Sequence, residues 1–314
     1  MRRRALLGWI SCALAWSACE EAPNAPGAAA SAGAEGKNSR LSAVSEEAAR
    51  QRDEAVEKSL NPKGLPVYSG PVGGVRGVVQ VSGDPPPVLS EIAAKIPADC
   101  PRALEMQRKL FRQGLERSLA DVLVTVTEYA GYVRPRTDVV RVEAKGCAFD
   151  ANVTAMVYGQ HLDVFNRDGQ AYMPRLIGVP SYALRVAMPG GRPVPIFPPK
   201  PGRYLLVDET RDYMRSELYV LNYPTFAVTG LDGTFEIMGL PAGDVKVTAF
   251  SPALGKVSEQ RVKIQAGVVQ ELKFDLAFSQ SEYDAAMRAH PPEPKPAEPA
   301  AKPTDRGQPS EPQK

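Results

Sequence analysis

Side chains able to ligate a metal or attack a substrate are scarce in this chain, and their positions restrict what they can do. Its 314 residues include four cysteines and two histidines. Cys100 and Cys147 stand apart, with neither the Cys-x-x-Cys nor the Cys-x-x-His spacing that a zinc site uses. His161 sits in Gln160-His161-Leu162-Asp163-Val164. With Leu162 and Val164 facing inward, period-two alternation turns His161 outward. It reads as a surface or inter-sheet residue rather than a catalytic base. His290 lies among prolines and reads as solvated. No Gly-x-Ser-x-Gly elbow, His-Glu-x-x-His motif or phosphate-binding loop is present. Carboxylates are plentiful, but sequence supplies no separation from which to assign a glycosidase pair. No catalytic residue, metal or cofactor is therefore assigned, and the chain reads as a non-enzyme.

The first 19 residues set the compartment. Arg2, Arg3 and Arg4 precede an apolar run from Ala5 to Trp16 that ends in Ser17-Ala18-Cys19. A basic head, an apolar stretch too short to span a bilayer and small residues before a cut site make a secretory signal. Small residues directly before a cysteine mark a bacterial lipoprotein signal over 1–18, with Cys19 as the lipidated residue. Trp16 departs from the usual leucine, which leaves ordinary secretion as the alternative. Arg3-Arg4-Ala5-Leu6-Leu7 also resembles a twin-arginine signal weakly. The expected location is the cell envelope, anchored by lipid, at the outer membrane facing the periplasm or the cell surface. Glu20 follows the cysteine where aspartate often marks inner-membrane retention.

An exported chain meets oxidising conditions, so Cys100 and Cys147 are expected to form a disulfide; two buried or metal-bound thiols are the rival reading. The net charge of +2 and the lack of a basic stripe interleaved with aromatics argue against nucleic acid as a partner. Arg134, Arg136, Lys200 and Arg203 fall in proline-rich loops and read as solvated charges. The expected partners are the membrane, through the lipid, and an envelope protein or glycan.

These residues need a scaffold, and its elements read mostly as strands. Residues 19–71 open on a polar, Ala/Gly/Ser/Pro-rich linker, then show a modest helical spacing from Leu41 to Leu60 that suggests a spacer helix. Alternation begins at Val75-Arg76-Gly77-Val78-Val79-Gln80-Val81 and recurs in eleven further short runs to Leu276, punctuated by turn residues such as Asp232-Gly233. That pattern indicates an all-β sandwich protein. Segment 103–119 fits either a helix or a strand. Asp168 and Asp232 read as turn formers. Residues 278–314 are expected to form an extended, proline-rich tail.

Two stretches resemble known families. The first runs through Gly146-Cys147-Ala148-Phe149, Val157-Tyr158-Gly159-Gln160, Val164-Phe165-Asn166-Arg167-Asp168, Pro201-Gly202-Arg203-Tyr204 and Tyr213-Met214. It resembles cupredoxin-like proteins of the plastocyanin and methylamine-utilisation type. The second, Phe226 to Ile237 followed by Gly239-Leu240-Pro241-Ala242-Gly243, is similar to the carboxypeptidase regulatory-like or transthyretin-like sandwich. The resemblance implies a cupredoxin-like Greek-key sandwich over 72–222 and a smaller sandwich over 223–277. It also implies that Tyr172 stands at the first histidine ligand, and that Asp208, Arg211 and Met214 stand at the cysteine, histidine and methionine of the copper loop. A blue-copper site needs two imidazoles and a thiolate, and arginine offers no lone pair. Only Met214 keeps its type.

The expectation is therefore a non-catalytic, lipid-anchored envelope protein with a copper-free cupredoxin-like domain in a binding or structural role. Asp208 and Arg211 are placed to pair, with Tyr172 packed over them; two independent surface charges are the alternative. A periplasmic metal-binding or redox accessory protein would instead use Asp208, Met214 and His161 or Tyr172 as ligands. A carbohydrate-binding accessory protein is the third reading.

Overall fold

A computed structural model describes residues 47, 50–135, 138–180 and 185–289. The signal, Cys19, Arg136, His290 and most of the linker and tail lie outside them. Of residues 1–52 only 47 and 50–52 are described, all helical. The described residues from 53 onward form a second unit. Residues 53–60 of helix α1 (50–60) belong to it, with Val56 against Gly159 and Ser59 Oγ donating to Asn222 Oδ1 at 3.1 Å.

Two sandwiches make up this unit, and both are built from strands. The first has sheets of order β4-β3-β6-β8 and β5-β10-β9-β7. These are β3 (Val140–Lys145), β4 (Ala148–Phe149), β5 (Val153–Val157), β6 (Leu162–Asn166), β7 (Pro174–Leu176), β8 (Val194–Ile196), β9 (Gly202–Asp208) and β10 (Arg215–Leu221). Alternation buries Leu162 and Val164 from β6 against Leu206 of β9 and Leu218 of β10. Phe149, Met156 and Tyr172 fill the same core.

The second sandwich stacks β12-β1-β15 on β11-β2-β13-β14. Its strands are β1 (Val72–Gly83), β2 (Leu123–Thr127), β11 (Phe226–Val228), β12 (Thr234–Pro241), β13 (Gly243–Ser251), β14 (Lys256–Ile264) and β15 (Val269–Phe278). Strand β1 is central, antiparallel to β12 and parallel to β15. Gly77 is required there: a Cβ would overlap the Leu272 carbonyl oxygen of β15.

This pairing departs from a division at residue 222. Strands β1 and β2 belong with β11–β15, so the first sandwich is inserted between β2 and β11 of the second. The physical reason is burial: Val75, Val79, Val81, Val122, Val124 and Val126 share a core with Phe235, Val247 and Phe274. The segment between β1 and β2 holds the short helices α2 (Ser90–Ala93) and α3 (Pro101–Gln107) and a 3-10 turn at Leu115–Arg117. Helix α3 places Ala103 and Met106 in the first core, whereas Phe111 and Leu119 join the second. Cys100, just before α3, is disulfide-bonded to Cys147 with Cα atoms 5.5 Å apart.

Two further expectations change. Arg203 is on β9 rather than in a loop, and a bidentate pair joins it to Glu217. The proline-rich tail is preceded by a helix, α4 (Gln280–Ala289). Ser279 Oγ accepts the Glu282 N–H at 3.4 Å at its start, and Tyr283 packs on Phe278.

Candidate functional site

Two loops at one end of the first sandwich build the site. The first follows β6. Asn166 Oδ1 accepts the Asp168 N–H at 2.9 Å, an Asx turn, while Nδ2 donates to the carbonyls of Gln170 (2.6 Å) and Ala187 (2.7 Å). Asn166 is thus the turn former, and the Asp168 carboxylate is free for other work. It accepts the Tyr172 hydroxyl and the Cys147 N–H at 3.2 Å. Burial pushes the Asp168 carboxyl up, but hydrogen bonds from Gly146, Tyr172 and Cys147 outweigh it and hold the group below its ordinary range. Burial and the bond to Asp168 push the Tyr172 phenol up to about 12. Asp232, by contrast, is the expected turn former, accepting the Thr234 N–H and hydroxyl.

The second loop joins β9 to β10 over residues 209–214. Main-chain bonds from Asp208 N–H to the Met214 carbonyl and from Met214 N–H to the Arg211 carbonyl close it. The Asp208 side chain is fully buried. Its Oδ2 accepts the Met173 N–H at 2.6 Å. Its Oδ1 accepts the Thr210 N–H (3.1 Å), the Thr210 hydroxyl (2.7 Å) and Arg211 Nη1 (3.2 Å). Arg211 Nη2 reaches across to Gln170 Oε1 at 3.0 Å, and the guanidinium lies 4.9 Å from the Tyr172 ring centroid. Gln170 Nε2 donates back to the Tyr172 oxygen at 2.9 Å.

Tyr172, Asp208 and Arg211 therefore converge, tied together by Gln170. Met214 is fully buried in the core behind the loop. Sequence reading missed Asp168 as a partner and Gln170 altogether. Both lie on the loop opposite Arg211, and no local spacing links them to it.

The donor set does not fit copper. The Asp208 carboxylate is fully buried and engaged by four donors, Arg211 has no lone pair, and a phenol with a pKa near 12 stays protonated at neutral pH. Cys147 is held in the disulfide. His161 is just before the far end of β6, five residues from Asn166 and so roughly 16 Å away along the strand. It stacks on Phe197 and lies 3.5 Å from Asp163. Among the described residues, no group of three or more His, Cys, Asp or Glu side chains is placed to hold a metal.

No family model matches the chain, and no curated protein does. Solved structures with local similarity include a Cu-containing nitrite reductase (NirK) from Thermus scotoductus SA-01, 21% identical, with a TM-score of 0.23 over 31% of this chain and 25% of that one. Amicyanin from Paracoccus versutus is 15% identical, with a TM-score of 0.25 over 31% of this chain and 97% of its own. The chain thus spans about a quarter of the length of the nitrite reductase it matches. The class that the fold and site define is an all-β protein of nested sandwiches, with a hydrogen-bonded polar cluster closing one end of the inserted one.

Proposed function

We propose that this chain is a non-catalytic, lipid-anchored protein of the bacterial cell envelope. Its inserted sandwich is a cupredoxin-like module that has exchanged a copper centre for a structural polar cluster and serves in binding or support. The outer sandwich is the carboxypeptidase regulatory-like partner. The observation that carries this reading is the Asp208–Arg211–Tyr172 assembly, in which a carboxylate, a guanidinium and a phenol hold together the two loops that metal ligands would otherwise join. The run Ser17-Ala18-Cys19 supports the anchor, and the Cys100–Cys147 bond suits an oxidising compartment.

Expression with the native leader tests the proposal. The mature protein is expected to partition into membranes, with an N-terminal peptide whose mass carries lipid on Cys19, and to contain no stoichiometric metal. Cys19→Ser is expected to block both cleavage and lipid attachment. A wild-type chain found wholly in the soluble fraction with an unmodified Cys19 would refute the anchor.

A further inference from the structure

We infer that the cleft between the two sandwiches binds a small amphipathic anion, a molecule with one acidic head and an apolar body of the medium-chain fatty-acid type. This inference is independent of the copper-free pocket, which lies elsewhere on the inserted sandwich.

The outer face of sheet β5-β10-β9-β7 is only half covered. Tyr219 of β10 and Val153 of β5 pack against Leu123 of the other sandwich, and Tyr219 meets Phe250 edge-on at 6.0 Å. Period two places Glu217 and Arg215 on the Tyr219 face, and the register sets Leu205 opposite Glu217 and Arg203 opposite Tyr219. These four residues floor an open cleft of about 610 Å³, within the usual range for small-ligand sites. Its lining also includes the apolar residues Ile92, Met106, Leu110, Phe111, Pro252 and Ala253.

Charge in the cleft is unbalanced. Asp121 is taken by Arg112 in a bidentate pair at 2.6 and 2.7 Å, nearly buried on both sides. Glu217 is taken by Arg203 at 2.6 and 2.8 Å. Arg215 and Lys109 complete the cationic lining, and among the described residues neither has a carboxylate partner. Arg215 Nε is buried without any hydrogen-bond partner. Leaving such a donor unsatisfied is costly, and an anionic ligand would supply the missing acceptor. The backbone beneath it is held, because Gln107 Nε2 donates to the Arg215 carbonyl at 3.1 Å and to Asn152 Oδ1 at 2.9 Å. An anion at Arg215 would have its apolar part against Leu205 and the other apolar residues of the lining.

The fluorescent sulfonate 8-anilinonaphthalene-1-sulfonate provides the probe for the mature protein. One equivalent is expected to bind saturably and to be displaced by decanoate but not by decanol or acetate. Displacement by decyl phosphate as well would mean that the site reads charge and chain, and displacement by decanoate alone would mean that it reads the carboxylate; both support the site. Arg215→Gln is expected to weaken decanoate about tenfold or more, the loss of one charge-assisted hydrogen bond, with the melting curve unchanged. Lys109→Gln gives a second, exposed variant with the same direction of effect. Absence of saturable binding, equal displacement by decanol, or wild-type decanoate affinity in both variants would overturn the inference.

Discussion

Removing Arg211 tests whether its contacts form one assembly or a set of unrelated surface charges. In Arg211→Ala the fully buried Asp208 carboxylate loses its cationic partner but keeps the Met173 and Thr210 donors. Because those donors remain, the loss falls short of the ~3–5 kcal/mol expected when a buried pair is broken outright. One hydrogen bond between charged groups contributes about 1.5–3 kcal/mol. Stacking of the guanidinium on Tyr172 adds about 0.5–1 kcal/mol at a partly exposed position. The total is about 2–4 kcal/mol, equivalent to a drop of roughly 4–16 °C in Tm for a body of this size. Thermal unfolding followed by circular dichroism measures it. Arg211→Lys is expected to fall between, since an ammonium cannot stack on Tyr172 while bridging Asp208 and Gln170 as a planar fork does. The double variant Asp208→Asn/Arg211→Ala should lose less than the sum of the singles. A Tm change under about 1 °C for Arg211→Ala would mean that the pair is worth no more than an exposed one, and the reasoning would fail.

Other perturbations probe the rest of the structure. Replacing Cys100 and Cys147 by serine should cost about 4 kcal/mol on the chain-entropy account for a closed loop with a sequence separation of 47; denaturant midpoints of the two forms check this. Gly77→Ala should destabilise the second sandwich by about 1–3 kcal/mol through overlap with the Leu272 carbonyl, and an unchanged midpoint would contradict the parallel β1–β15 register. Burial raises the phenols of Tyr129, Tyr132, Tyr172, Tyr213, Tyr219 and Tyr223. The folded state therefore holds these protons more tightly than the unfolded chain. Stability should be intact below about pH 10 and fall as pH rises toward about 12, read as urea midpoints across that range. At the acid end the Asp168 pKa is lowered on folding, so its contribution is present above about pH 4 and is lost as pH falls further; Asp168→Asn should flatten that limb.

The strands were legible because alternation of small apolar residues is a local signal, as in Val245, Val247 and Ala249 of β13. Nesting was not. The partners of β1 lie on β12 and β15, so that Arg76 meets Glu271 across 195 residues, and nothing local marks such a pairing. The run Phe226 to Gly243 falls on β11 to β13 of the outer sandwich, but two further strands of that sandwich, β1 and β2, precede the insertion. At the site, Asp208 and Arg211 were readable as neighbours three residues apart. Gln170 and Asp168 come from the opposing loop, where only tertiary packing brings them within reach. The helix at 280–289 did carry a sequence mark, Ser279-x-x-Glu282, which the adjoining proline run obscured. Arg203 was misplaced because Pro201-Gly202 looks like a loop, although the strand begins at Gly202.

The cluster of Asp208, Arg211 and Tyr172 offers neither an imidazole nor a thiolate for copper. Titrating the mature protein with Cu(II) and with Cu(I) under reducing conditions, followed by visible absorption, paramagnetic resonance and metal analysis after desalting, tests this central claim most directly. The account predicts no intense blue absorption and no retained equivalent of metal, in the wild type and in Asp208→Ala alike. A retained equivalent of copper in the wild type, abolished by Asp208→Ala, would contradict it.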